Sequence, residues 1–260
     1  MSWHRIPLSP RLVVGTRNLV RTRDVVALSG ASDWRRRLAD RLGVAALPAR
    51  RVFPASAGPP WPHVGWGELD EAIGNELPGA RVLAAALPRQ AGRERLSLLV
   101  RMTGNQVIVK LGALGTLAAE AQALELLARD PLPGIAAPEP LAAGTVTLGG
   151  EPIAYLATGS VSLRRQRPAL DEPLRSFERD LTRRLSALPR SPATATDAVP
   201  VHGDLTPWNL RRTDRGLALF DWEAAGWGVP GSDVAHYRSA CNDVRPPWSR
   251  SHHLGRGRSE

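Results

Sequence analysis

Short apolar runs, rather than one long period, organise the middle of the chain. Residues 81–87 (RVLAAAL), 96–101 (LSLLVR) and 107–111 (VIVKL) are rich in Val, Leu and Ala and are bounded by Pro, Gly or Asn. This pattern predicts three strands, with Thr103-Gly104-Asn105 turning the chain between the second and third. The period then becomes helical. Leu117, Ala121, Leu124 and Leu127 fall on one face of residues 117–128, and Pro131, Pro133 and Pro138 mark the loop that follows. Residues 145–148 and 153–156 flank Gly149-Gly150 and predict a hairpin, and residues 174–188 predict an amphipathic helix. The pattern describes an α+β chain: an antiparallel sheet with one helix after its third strand, then a mainly helical part.

Both ends read differently. Residues 1–75 form a segment of no assigned role, with a strand at 24–28, a basic helix at 34–42 and a linker at 48–67 that carries Pro54, Pro59, Pro60 and Pro62. Residues 245–260 are polar and rich in Arg and Gly, without an apolar period, which predicts a disordered tail. His252 and His253 lie in it and read as solvated.

Composition sharpens this picture. With 260 residues, 43% of them hydrophobic, the chain can bury one large core or two lobes. Phe and Tyr number only 3 and 2 against 8 Trp, so the core must be Leu, Val and Ala with Trp anchors. The net charge is +9, but of 34 basic residues only Lys110 is a lysine. The arginines are scattered and interleave with no aromatic motif, so the charge reads as coding bias on solvated faces rather than as a nucleic-acid surface. Lys110 gains interest by the same argument, because Arg and Lys are not interchangeable where a compact ammonium is required. Cys241 is the one cysteine, which excludes an internal disulfide and a cysteine zinc cluster. Met1-Ser2-Trp3-His4-Arg5 is followed by no apolar stretch of the signal-peptide kind, and no apolar run reaches membrane-spanning length, so the expected compartment is the cytosol.

The chemistry concentrates in His202-Gly203-Asp204, with Asn209 five residues beyond Asp204, and in a second apolar run ending at Asp221. Residues 210–212 and 217–220 read as two strands joined by Thr213-Asp214-Arg215-Gly216. If that hairpin closes around Arg215, residues whose numbers sum to 430 face each other, and Asn209 lies opposite Asp221. An amide oxygen beside a carboxylate is a hard-ligand pair suited to Mg²⁺. Asp204 would then stand beside a metal site, placed to orient a hydroxyl for phosphoryl transfer.

At these residues the chain resembles the aminoglycoside phosphotransferase and choline kinase family, a branch of the protein-kinase-like fold whose catalytic loop reads H-G-D. The resemblance covers residues 78–240. It implies an N-lobe at 76–160 that binds ATP, a hinge at 157–161, and a C-lobe at 161–244 holding the catalytic loop and Mg²⁺ site. It implies Asp204 as the catalytic carboxylate, Asn209 and Asp221 as metal ligands, and Lys110 as the lysine on the α- and β-phosphates. Glu120 would be its ion-pair partner, with Glu125 as a weaker candidate. His202 and Asp233, the latter in Gly231-Ser232-Asp233-Val234-Ala235-His236-Tyr237, would hold the loop. Glu223 reads either as a further ligand near the metal or as an ordinary loop acid, and Trp208 and Trp222 read as packing residues before substrate platforms.

Two features depart from the family. The phosphate loop, Pro88-Arg89-Gln90-Ala91-Gly92-Arg93-Glu94, holds one glycine, Gly92, where the family has several, although Arg89 or Arg93 could assist it. Only 39 residues follow Asp221, where the family places acceptor-binding helices. The acids there (Glu223, Asp233, Asp243, Glu260) are matched by five arginines, so a lining for a polycationic aminoglycoside is not visible. The expectation is an ATP- and Mg²⁺-dependent small-molecule kinase acting on a hydroxyl. The alternatives are a nucleotide-binding pseudoenzyme or regulatory module and, on net charge alone, a nucleic-acid binder.

Overall fold

A computed structural model describes residues 3–6, 9–15, 61, 64–87, 95–161, 167–170, 172–174 and 176–244. The first part of the chain comprises β1 (Trp3–Ile6), β2 (Ser9–Gly15), α1 (Trp66–Glu76), β3 (Arg81–Ala86), β4 (Arg95–Met102), β5 (Asn105–Gly112), α2 (Ala118–Arg129), β6 (Ile135–Ala136), β7 (Pro140–Leu148) and β8 (Glu151–Gly159). Seven of these strands form one sheet in the order β1-β2-β3-β4-β5-β8-β7, antiparallel throughout. Alternation along the strands gives the sheet two apolar faces. Leu96, Leu98 and Val100 of β4 and Val107, Val109 and Leu111 of β5 share a core with α1. Lys110 faces the other way, opposite Ser97 on β4 and Leu156 on β8.

The three expected strands and the glycine hairpin are present, but the N-terminal expectation needs correction. The described parts of residues 1–75 are not separate from the sheet. β2 pairs with β3 through Leu12, Val13 and Val14, and Trp3 stacks on Trp66 with ring centroids 4.4 Å apart. The expected linker runs into α1, whose Trp66, Leu69 and Ile73 are buried at helical spacing. The expected strand at 24–28 and helix at 34–42 lie outside the described residues, as do the phosphate loop with Gly92 and the tail at 245–260. Most of the expected hinge is strand: Ala157 to Gly159 belong to β8 and pair with β5.

The second part contains β9 (Arg167–Pro168), α3 (Phe177–Leu185), β10 (Val199–Val201), β11 (Leu210–Thr213), β12 (Gly216–Leu219), a 3₁₀ turn (Trp222–Ala224), β13 (Gly226–Gly228) and α4 (Ser232–Val244). Two small sheets, β6-β12-β11-β9 and β10-β13, frame the segment from His202 to Asn209. A second core joins α2 and the underside of the large sheet to this part, through Leu124, Leu127, Leu156, Leu181, Leu205 and Trp222. The fold is therefore α+β and two-lobed, with α2 and β8 as the shared wall. No helix among the described residues is long and apolar enough to cross a membrane.

Candidate active site

Lys110 enters the wall between the lobes from β5. Its Nζ donates to Glu120 Oε1 and Oε2 at 2.8 and 2.9 Å, and to Asp221 Oδ1 at 2.7 Å. Glu120 sits in the first turn of α2 and is 2% exposed. The apolar face expected for this helix placed Ala121 inward. The helix instead buries Glu120 and Ala123 beside Leu124 and Leu127, while Ala121 is only half-buried. Glu125 is exposed on the far side. Burial works against the Lys110 charge, but Glu120 and Asp221 outweigh it and hold its pKa above the usual lysine value. Burial likewise opposes ionisation of Asp221, and Lys110 reverses the balance, so this carboxyl stays below its usual range.

The segment from His202 to Asn209 hangs on Asp233, the second residue of α4. Asp233 Oδ2 accepts from the His202 N–H at 2.6 Å and Oδ1 accepts from the Gly203 N–H at 2.9 Å. The His202 ring lies beneath. Nε2 is 3.0 Å from the Phe220 carbonyl, and Nδ1 accepts from the Asp204 N–H at 3.2 Å. One nitrogen must donate and the other accept, so the ring is neutral with its proton on Nε2. Burial also drives its pKa down to about 4. Gly203 has φ +82°, and a Cβ there would meet the Ala224 carbonyl oxygen at 2.2 Å, so glycine is required on two counts. Sequence reading alone does not supply that second reason.

Asn209 closes the segment. Its Nδ2 donates to both the carbonyl and Oδ2 of Asp204, each at 2.9 Å. Burial raises the Asp204 pKa, aided by the charge of Asp221 and opposed by the Asn209 bond. Trp222 is fully buried, donates to the Leu219 carbonyl and packs edge-on against His202, while Trp208 is half-buried.

The hairpin register differs by one residue from the expectation. Leu210 pairs with Leu219 and Thr213 with Gly216, so partner numbers sum to 429. The turn holds two residues, Asp214 and Arg215, and Thr213 Oγ1 accepts from the Arg215 N–H at 3.0 Å. Asn209 is therefore opposite Phe220, whose N–H donates to the Asn209 carbonyl at 3.0 Å. Asp221 leaves the strand in the left-handed region at φ 64°, the one such non-glycine among the described residues. That twist carries its carboxylate to Lys110.

Asn209 and Asp221 are not cross-strand partners in this register, but each carries an oxygen donor of the hard kind that could hold Mg²⁺. With Nδ2 committed to Asp204, Asn209 offers Oδ1, and Asp221 offers the oxygen that Lys110 does not occupy. Among the described residues no group of three or more His, Cys, Asp or Glu is arranged to hold a metal unaided. Glu223 forms an ion pair with Arg95 at the start of β4.

Residues 154–257 match the model of the phosphotransferase enzyme family. No curated protein matches the chain. Among solved structures it is similar to the aminoglycoside phosphotransferase APH(3'')-Id from Streptomyces rimosus, at 18% identity over 62% of this chain and 82% of that one, with TM-score 0.41. It is also similar to a putative fructosamine-3-kinase from Haemophilus somnus, at 13% identity over 72% and 84% of the two chains, with TM-score 0.41. The matched family pattern and the two-lobed α+β architecture agree with the resemblance: over residues 154–257 the protein is similar to the phosphotransferase enzyme family, and it is an enzyme of the phosphotransferase kind.

Proposed function

We propose that the protein transfers the terminal phosphate of ATP to a hydroxyl group of a small molecule. The observation that carries this reading is the position of the one lysine. Its ammonium is held within 2.9 Å of carboxylates from both lobes, Glu120 and Asp221, at the wall where the lobes meet. A compact positive charge there meets the α- and β-phosphate oxygens of a nucleotide lying between the lobes. Asp204 takes the part of the catalytic carboxylate. Asn209 fixes its Oδ2, which leaves Oδ1 to orient the acceptor hydroxyl and receive its proton, and burial raises its proton affinity toward that task. Asn209 Oδ1 and Asp221 would hold Mg²⁺, which when bound neutralises phosphate charge. The chain contributes positioning and fixed charge rather than covalent chemistry. Acids and arginines balance in the residues after Asp221, which favours a neutral or anionic sugar or alcohol as acceptor.

A panel of hydroxylated metabolites and aminoglycosides, scored for ADP release, tests the reading. Acceptor-dependent ADP release that Asp204→Ala loses is the expected result. Nucleotide binding with no acceptor-dependent turnover anywhere in the panel would instead identify a nucleotide-binding module.

A further inference from the structure

Two cations leave the large sheet on the same face. In the β4–β5 ladder Arg95 lies opposite Gly112 and Ser97 opposite Lys110, so Arg95 and Lys110 are diagonal neighbours two residues apart in register. Arg95 is also the first residue of β4, directly after the loop that joins β3 to β4. Below them, Asp221 and Glu223 stand two residues apart, on either side of Trp222 at the start of the 3₁₀ turn. Lys110 pairs with Asp221 and Arg95 pairs with Glu223, so two parallel ion pairs join the sheet to the catalytic lobe. The Lys110 pair has a buried anchor in Glu120, whose side chain is 3% exposed. The Arg95 pair has none: its side chains are 31% and 28% exposed.

We propose that Arg95 is a second phosphate-binding side chain, held on Glu223 until the phosphates of a nucleotide displace that carboxylate. The inference rests on the proposed phosphotransferase reading. A guanidinium fork accepts a carboxylate or a phosphate in the same geometry, so the exchange keeps Arg95 paired throughout. Its position matters, because at the start of β4 and two residues from Lys110 in register it stands beside the lysine proposed to meet the phosphates. Glu223 is then neither a metal ligand nor a passive loop acid. It keeps Arg95 next to Lys110 and imposes a small electrostatic cost on nucleotide entry.

The test is equilibrium binding of ATP and adenosine, with and without Mg²⁺, to the wild-type chain and two variants. Arg95→Gln is expected to weaken ATP binding by about 10-fold to 100-fold, the worth of a hydrogen bond to a charged group, and to leave adenosine binding unchanged. Glu223→Gln is expected to bind ATP as tightly as the wild type or more tightly, with the same Mg²⁺ dependence. Equal losses for ATP and adenosine in Arg95→Gln, at an unaltered melting temperature, would show that Arg95 shapes the nucleotide site without contacting phosphate and would overturn the proposal. So would unchanged ATP affinity. Weakened, Mg²⁺-independent ATP binding in Glu223→Gln would make Glu223 a metal ligand and overturn it as well. If the wild-type chain bound no ATP, the phosphotransferase reading itself would fail, an outcome distinct from each of these.

Discussion

In the large sheet, position is maintained by area. Leu96, Leu98 and Val100 from β4 interlock with Val107, Val109 and Leu111 from β5 and with Leu69 and Ile73 from α1, and each of these is at most 2% exposed. In the segment from His202 to Asn209, position is maintained by a few directed bonds. Two N–H groups hang on Asp233, one ring bridges Phe220 and Asp204, and one amide clamps Asp204. Apolar contacts are numerous and individually weak, so the sheet tolerates small changes, whereas each polar bond of the loop has a single partner and no substitute. A catalytic carboxylate benefits from the second arrangement because directed bonds fix its angle as well as its place.

The most damaging change to function should leave both regions folded. Asp204→Ala is expected to lower phosphoryl transfer by ~10²–10⁴-fold, the usual worth of a positioned acid or base, with little change in ATP affinity. Steady-state rates beside a nucleotide titration check this, and near wild-type turnover would remove Asp204 from the mechanism. Lys110→Arg should then be nearly as harmful as Lys110→Ala, each losing about 10-fold to 100-fold in ATP affinity. The ammonium meets Glu120 and Asp221 at 2.7–2.9 Å, a spacing set for a compact charge rather than for a longer planar fork. Full ATP affinity in the arginine variant would contradict that fit.

The sheet breaks in the opposite way. Leu98 is fully buried, and Leu98→Ala should cost about 2–5 kcal/mol of stability while turnover per folded molecule stays the same. Denaturant unfolding together with activity normalised to folded protein separates the two quantities. Altered turnover per folded molecule would show that the sheet core and the loop are not independent. Asp233→Asn addresses the loop directly. An amide retains one acceptor but turns an NH₂ toward the second N–H, so one buried donor loses its partner at about 1–3 kcal/mol. Because that donor belongs to His202 or Gly203, activity should fall by more than the lost stability explains. A loss confined to stability would mean that Asp233 supports α4 alone.

The same contrast governs what could be read from the sequence. Short apolar runs mark β3, β4, β5 and the β7–β8 hairpin, because each strand carries a local cluster of apolar residues that the large sheet buries. They did not locate the pairing of β2 with β3, which joins residues about seventy positions apart and leaves no local mark. The helix α1 was obscured by the proline-rich stretch before it and by Gly67 and Gly74 within it, although Trp66, Leu69 and Ile73 carry its period. In the site, Lys110 stands out because no other lysine exists, whereas Glu120 is legible only through the family resemblance, which makes it the partner of that lysine. The register of β11 with β12 was misread by one residue, because Thr213-Asp214-Arg215-Gly216 admits either a two-residue or a three-residue turn. The left-handed twist at Asp221 and the Arg95–Glu223 pair were illegible, since both are consequences of how the two lobes meet.

The smallest effect tests the loop through pH. The His202 ring is neutral and buried, with a pKa of about 4 against an ordinary value near 6.5. Its folded pKa is depressed, so the unfolded chain binds the extra proton first as the solution is acidified. The stability that the neutral ring contributes is complete above pH ~6.5 and declines by ~1.4 kcal/mol per pH unit as pH falls toward the folded value. Protonation of the folded ring, which sets in only near pH 4, would convert Nδ1 from acceptor to donor and break its bond to the Asp204 N–H. Urea unfolding of the wild type and of His202→Gln at pH 7, 6 and 5 measures this. The wild type should lose stability more steeply than the variant across that range. Parallel slopes would mean that the ring accepts a proton without disturbing the loop, and the directed-bond account of how Asp204 is held would have to give up its central contact.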